Sequence, residues 1–398
     1  MPTLIQKPTN AQGVYVREYD NRLFMLLGYG YYGSPSYYEI YEIDPDGNTI
    51  SKIVTSDTTD NEDTYLQMYS PEHDGLIVSG RKSGGTGFIE VWKLDGTKVG
   101  SVTSPKGAYI TGVTRLDDKY LITVCCDLNG FFIVDAVNLL DTSKWVWKEV
   151  GISWTQAWEE ISLCPFLDKV LIIRFDKLYT GDLVIWDPSS DTFTQFDTWS
   201  GSGATRGLIF PGVSANDVMA VWTKAYSDNG FDVMMTKDLI NKVKLSTEPF
   251  FDASIAGENT CGALPVSDNL IVVFNAKDGC TQNYIKIMDV SGKELWRQTF
   301  QYGHGSFGAL ARGRLFMAIE AYPGVAKGSL VIIKPDVIKD ISATINPDGT
   351  ITVTGTNITK AEAFKRFLNA PCYANKVADI PLGQATNIGT GYFRIRGR

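Results

Sequence analysis

The sequence predicts an all-β chain built from a repeated unit of strands, and three observations carry that prediction. Seven apolar runs recur along residues 1–336 at intervals of 44 to 53 residues: RLFMLLG, GLIVSG, KYLITVC, KVLIIRF, DVMAVWT, NLIVVFN and GRLFMAI. Each is followed, after a loop, by a second strand-length segment, among them YYEIYEID, GFIEVWKLD and GDLVIWD. Several of those segments run through a turn rich in Asp and Gly into a further strand, as in KLDGTKVGSV and MDVSGKELWRQTF. Four short strands per unit at this period is the pattern of a seven-bladed β-propeller.

Each unit then holds an inner strand, the apolar run as its second strand, the alternating segment as its third and an outer strand after the turn. In the sixth unit these fall near 258–266, 268–276, 282–289 and 293–299. The first unit contains Gly28-x-Gly30-x-x-Gly33 directly after an apolar run, the spacing of a dinucleotide-binding fingerprint. That fingerprint works only where a helix N-terminus follows the glycines. Here SPSYYEIYEIDPDG follows, an alternating strand ending on a turn, so the three glycines are assigned to the loop between second and third strands. The seventh unit lacks an outer strand after GSLVIIK, and the N-terminal segment at residues 3–7 is free to supply it, closing the ring and removing an exposed sheet edge.

From Val337 the pattern changes. ISATINPDGTITVTG reads as a hairpin around Asp348-Gly349, with Ile341, Ala343 and Ile345 on one face and Ile351 and Val353 opposite. Thr359-Lys-Ala-Glu362 is a capping-box pattern opening a short helix with Phe364, Phe367 and Leu368 on one face, stopped at Asn369-Ala-Pro371. Residues 337–398 form a small docking extension to the 1–336 propeller, and its last stretch, ending in Arg394, Arg396 and Arg398, has a terminal strand pattern.

Charge separates the two parts. The extension has eight Lys or Arg against four Asp or Glu, leaving 29 basic and 41 acidic residues in the ring, so a net charge of +4 follows one of −12. A hairpin with one short helix buries too little to stand alone, so the extension docks either on its own ring or on a neighbouring acidic subunit. The three terminal arginines are too small a basic cluster for nucleic-acid binding to be expected.

The chain of 398 residues, 44% hydrophobic and 21% charged, has ample material for a core. No run approaches the roughly 20 apolar residues of a membrane span, and the start has no signal-peptide pattern. The expected location is a virion if the protein is viral, and otherwise the cytoplasm. Six cysteines without a C-x-x-C pair, beside only two histidines, argue against a zinc site. Cys125-Cys126 reads as adjacent strand residues facing opposite sides, and Cys261 with Cys280 is the one candidate disulfide pair.

Catalytic patterns are sparse. His73 lies in the turn PEHDG and is expected at the surface, while His304, in QYGHGSFG, falls near the channel mouth and is the better candidate for an acid or base. Glu159-Glu160 are neighbours on a strand and point to opposite faces, so they do not share a proton or a metal. The run DTTDNED at 57–63 lacks EF-hand spacing, and GSGATRG at 201–207 lacks the Lys-Ser/Thr of a phosphate-binding loop. No catalytic residue, metal or cofactor is expected.

The loops carry aromatic residues instead. Connections between second and third strands share one face of a propeller with the crossings from each outer strand to the next blade. That face is expected to display Tyr29, Tyr31, Tyr32, Trp154, Tyr179, Trp199, Tyr226, Tyr302 and Tyr322. Aromatic side chains on glycine-rich loops are rigid contact area with a polar handle, though such rings also plug gaps between blades.

The stretch Ile287 to Trp296, Ile-x-Asp-x-x-Gly-Lys-x-x-Trp, resembles the quinoprotein-like propeller repeat, and LVIWD at 183–187 resembles a WD-repeat strand. The likeness covers residues 1–336 as architecture. It departs from both families, for the WD glycine-histidine dipeptide is absent and blades 3, 5 and 7 lack the Gly-x-x-x-Trp pattern, so no cofactor site follows from it. In organisation the chain is similar to propeller-containing phage or viral particle proteins. The expectation is a non-catalytic binding and assembly module, such as a tail, spike or surface protein, meeting other subunits through its extension and a host-surface or glycan ligand through its aromatic face. The alternatives are a quinoprotein-, lyase- or glycosidase-like enzyme with its pocket at the channel mouth, and a cellular WD-like interaction scaffold.

Overall fold

A computed structural model describes residues 3–8, 11, 13–19, 22–29, 37–56, 61–82, 84–107, 109–124, 128–152, 160–175, 180–200, 205–209, 219–226, 230–249, 259–267, 270–277, 283–300, 304–311, 314–320, 329–334, 342–345, 351–354, 386–387 and 393–394. Strand β1 (Thr3–Pro8) precedes blade 1, which is β2 (Gly13–Tyr19), β3 (Arg22–Tyr29), β4 (Tyr37–Ile43) and β5 (Thr49–Thr55). Blade 2 is β6 (Asn61–Ser70), β7 (Gly75–Lys82), β8 (Gly87–Trp92) and β9 (Lys98–Thr103). Blade 3 is β10 (Ile110–Leu116), β11 (Lys119–Val124), β12 (Gly130–Asp135) and β13 (Val146–Glu149). Blade 4 is β14 (Glu160–Phe166), β15 (Lys169–Phe175), β16 (Thr180–Asp187) and β17 (Thr192–Ser200). All are antiparallel meanders, and the chain is a β-propeller.

The fifth unit departs from the expected plan. Its first strand, β18 (Thr205–Ile209), pairs in parallel with β22 (Asn259–Ser267), Thr205 opposite Asn259. What remains is the three-stranded sheet β19 (Ala220–Tyr226), β20 (Gly230–Thr236) and β21 (Val243–Pro249). The sixth sheet therefore has five strands, β18 followed by β22, β23 (Leu270–Lys277), β24 (Asn283–Asp289) and β25 (Glu294–Phe300). Among the described residues the propeller has six complete blades, where the sequence led to seven. The last ring sheet holds β26 (His304–Ala311), β27 (Arg314–Glu320) and β28 (Ser329–Lys334), with β1 beside β28, Thr3 opposite Lys334 and Pro8 opposite Ser329.

Burial explains why the repeat is visible in the sequence. Strands β7 and β8 lie inside the ring, packed on both faces, and β8 is buried at all six positions, so such strands read as nearly unbroken apolar runs. The outer strand β9 alternates half-buried with exposed, so it carries alternating polar residues. The core is a series of apolar layers between neighbouring blades: Phe24, Leu26 and Ile40 meet Leu76, Val78 and Phe88 between blades 1 and 2. Phe131 and Leu121 meet Ile172 and Trp186 between blades 3 and 4, and Val14, Met25 and Ile43 meet Phe316 and Ile332 where the ring closes.

In the extension, β29 (Ser342–Ile345) and β30 (Ile351–Thr354) form the hairpin, with Ala343 opposite Val353 and Ile345 opposite Ile351. The two-residue strands β31 (Thr386–Asn387) and β32 (Phe393–Arg394) pair with one another. The helix expected from Thr359, with Phe364, Phe367 and Leu368, lies outside the described residues, as do Arg396 and Arg398.

Candidate functional site

Of the nine aromatic residues assigned to the loop face, Tyr29 and Trp199 have described side chains, and the two behave differently. Tyr29 ends β3 opposite Tyr37 at the start of β4. Their rings stack with centroids 4.7 Å apart and planes 16° from parallel, and Tyr37 is exposed. Behind the pair, the Glu39 carboxylate accepts hydrogen bonds from the Tyr41 hydroxyl and from Lys52 Nζ, each at 2.5 Å. Burial raises the Tyr29 and Tyr41 phenols well above their ordinary value, with the Glu39 charge adding to it, so both remain protonated donors. Burial alone would raise Glu39 as well, but the hydrogen bonds from Lys52 and Tyr41 hold it below the usual carboxylate value.

Trp199 is buried between blades 4 and 5 with Ala220, Trp222 and Met234. Its indole lies over Gly181, its partner across the pair β16–β17, where any Cβ would collide with the ring. Trp199 is a gap-filling residue. Tyr226 ends β19 opposite Gly230, and Tyr31, Tyr32, Trp154, Tyr179, Tyr302 and Tyr322 lie outside the described residues.

A feature not anticipated from the sequence lies beneath the same face. Most of the third strands carry a buried charge: Glu39, Glu90, Asp182, Asp232 and Lys286. Each meets an opposite charge. Lys98 Nζ lies 2.6 Å from Glu90, and Arg174 makes a two-pronged contact with Asp182 while donating to Asn129 Oδ1 at 2.8 Å and the Ile152 carbonyl at 3.1 Å. Lys244 Nζ lies 3.4 Å from Asp232, and Lys286 pairs with Glu248 of the preceding blade, which also accepts from the Tyr284 hydroxyl at 2.9 Å. The signal for these sites was the single charge interrupting an apolar strand, as in FIEVW and YIKIM. Their pairing keeps the cost of burying charge low, and the Lys286–Glu248 pair also links two neighbouring sheets.

The opposite face holds His73. The expectation of a surface histidine is corrected: the ring is half-buried, with Nδ1 2.8 Å from Ser70 Oγ, and burial lowers its pKa. The local reason is the 3₁₀ turn Pro71–His73, which folds the imidazole back over Ser70. Ser70 is fully buried, and the neighbouring Glu72 is held by Arg115 and by the Tyr120 hydroxyl at 3.0 Å, so this is a packed cluster and not an exposed nucleophile with its base. His304 opens β26 opposite Glu320. Glu160 opens β14, while Glu159, Cys125, Cys126, Cys280 and residues 57–60 lie outside the described residues. Among the described residues, no group of three His, Cys, Asp or Glu could hold a metal ion, the Cys164 side chain is buried, and no helix is long and apolar enough to cross a membrane.

No protein-family model matches the chain, and no curated protein matches it. Among solved structures, it is similar to the WD40 domain of Toxoplasma gondii coronin at 11% identity, covering 91% of this chain and 94% of that one with a TM-score of 0.49. It is also similar to Raptor of Chaetomium thermophilum at 13% identity and a TM-score of 0.49, covering 82% of this chain but 28% of that one. A quinoprotein alcohol dehydrogenase-like protein of Bacteroides thetaiotaomicron matches at 11% identity and a TM-score of 0.47, covering 72% and 66% of the two chains. These likenesses say nothing of what this chain binds.

Proposed function

We propose that the chain is a non-catalytic binding module that recognises protein partners through the face carrying the loops between second and third strands. The observation that carries this reading is the Tyr29–Tyr37 stack, which sets an exposed phenol on a strand end backed by the Glu39–Lys52 pair. An aromatic held on a rigid element loses little conformational freedom when a partner covers it, and its hydroxyl keeps a polar contact.

The finer form of this reading is an assembly component of a phage or virus particle. Its support is the charge split, a net −12 over residues 1–336 against +4 over 337–398, which favours docking of one copy's extension on another copy's ring. Sedimentation velocity over a concentration series tests it. The full chain should self-associate at low ionic strength and dissociate as salt screens the attraction, while a chain ending at Asp336 should stay monomeric. A full chain that is monomeric throughout would remove the assembly role.

A further inference from the structure

The inner strands of blades 2 and 3 are bulged. Gln67 is an extra residue between Leu66 and Met68 in the β6–β7 pairing, and Thr111 between Ile110 and Gly112 in β10–β11. A bulged residue is left out of the ladder, so its backbone groups are available to other partners. Arg17, on the inner strand of blade 1, uses the first bulge: its Nε donates to the Gln67 carbonyl at 2.7 Å, and its Nη1 donates to the Val16 carbonyl at 2.8 Å. Gln67 continues the chain, its Nε2 donating to Ser79 Oγ at 2.7 Å and to the Thr111 carbonyl at 3.4 Å, its Oε1 accepting from Val113 N at 3.2 Å. Two tyrosine pairs bracket Arg17 along the strands, Tyr15 with Tyr65 and Tyr19 with Tyr69.

This relay has a charge imbalance at one end. The buried cations Arg174, Lys224 and Lys286 each face a carboxylate, Asp182, Asp197 and Glu248. Arg17 is half-buried at the channel wall, both of its bonds go to neutral carbonyls, and among the described residues no carboxylate pairs with it. Burial draws its pKa down to about 10, which still leaves it charged at neutral pH. Of the five N–H donors in a guanidinium, two are used, and the planar fork suits a phosphate or carboxylate group.

We propose that Arg17 anchors an oxyanion site at the channel wall between blades 1 and 2, taking the phosphate or carboxylate group of a small molecule. The charge left uncompensated among the described residues is supplied by the ligand, and the bulge at Gln67 fixes the guanidinium in place. This inference is independent of the partner-binding face.

Isothermal titration of the full chain with inorganic phosphate and, separately, with acetate tests it at constant ionic strength set by chloride. The expected result is saturable binding of one of the two, at least about tenfold weaker in Arg17→Met and unchanged in Lys119→Met, a change at an exposed ion pair. The arm that binds tells phosphate from carboxylate. Arg17→Lys, which keeps the charge without the fork, guards against misfolding and should bind more weakly than wild type. The wild-type thermal midpoint should rise with the same anion, because a ligand that binds only the folded state stabilises it. Absence of saturable binding to both anions, or equal binding by wild type and Arg17→Met, overturns the proposal.

Discussion

The Tyr38 hydroxyl of blade 1 donates to the Glu90 carboxylate of blade 2, and both side chains are fully buried. The same hydroxyl accepts from Trp92 Nε1 at 2.6 Å, and Lys98 Nζ holds the other carboxylate oxygen of Glu90 at 2.6 Å. The two blades therefore share one closed polar chain inside an apolar layer, and each group in it depends on the next.

Tyr38→Phe should destabilise the protein by about 1–3 kcal/mol, because it strands the Trp92 donor and removes one donor from a buried carboxylate. Glu90→Ala should cost more, since it leaves Lys98 beside an unpaired buried hydroxyl and opens a cavity. Urea denaturation of the two variants checks the order. Equal, negligible losses would mean that the apolar contacts alone hold the blades together.

A second link between blades is made by backbone. Gly96, in the turn after the third strand of blade 2, has φ +87, and a Cβ there would lie 2.5 Å from the Ile53 carbonyl oxygen on the outer strand of blade 1. Gly84 has φ +93 but nothing within 4 Å of its would-be Cβ. Gly84→Ala should therefore cost about 1 kcal/mol from the left-handed backbone alone, whereas Gly96→Ala must also push two blades apart. The difference between their melting shifts reads the contact directly, and identical shifts would show that the turn yields freely.

The strands were legible because their burial is written into their composition. The sixth unit shows it, with β22 to β25 beginning within two residues of the expected starts. What could not be read is which neighbour β18 would choose. Thr205–Ile209 is five residues long, and its partner Asn259–Ala263 is more than fifty residues away, so no local pattern records the parallel pairing that leaves six complete blades. The buried charges posed the same difficulty. Glu90 stands out in FIEVW, yet Tyr38 lies 52 residues before it, and only the closing of the ring brings them together. By sequence Trp199 falls where an outer strand crosses to the next blade, which groups it with the loop aromatics, and the missing side chain of Gly181 opposite it is what draws it inward.

Acid should weaken the fold through a defined set of turns. Asp238 accepts from the backbone N–H groups of Asn241 and Ile240 and from the Asn241 side chain, which holds its pKa down at about 2 against an ordinary 3.8. A carboxylate with a lowered folded-state pKa adds stability above its unfolded value, and that stability is lost as pH falls through the folded value. Wild type should therefore lose stability relative to Asp238→Asn between pH 3.8 and about 2, with no change in the difference above that window. Urea titrations at several pH values measure it, and a constant difference across the window would mean that the turn bonds do not depend on the charge.

Ring closure rests on β1, whose six residues pair with β28 from Thr3 opposite Lys334 to Pro8 opposite Ser329. Deleting residues 1–8 exposes the β28 edge, which includes Leu330, Val331 and Ile332, all buried in the closed ring. An apolar strand edge without a partner is both less stable and prone to pair with another chain. The deletion should lower the melting midpoint by several degrees and promote aggregation, and a synthetic peptide of residues 1–8 should restore part of the loss by adding back the strand. An unchanged midpoint would mean that blade contacts elsewhere already hold the ring shut.

The class of function is separated by where the dependence lies. An enzyme concentrates it in one or two polar groups, and loss of a general acid or base costs about 10²- to 10⁴-fold in rate. A binding face spreads it, each truncated anchor costing about 1–4 kcal/mol of affinity. Tyr29→Ala and Tyr37→Ala remove the two halves of one stack, so their effects on partner affinity should be strongly non-additive, whereas either combined with Tyr179→Ala, in the sequence between β15 and β16, should add. His304→Ala should leave binding unchanged. Turnover of a hydrolase or lyase substrate by wild type that vanishes with His304→Ala, with both tyrosine variants fully active, would replace the binding module with an enzyme.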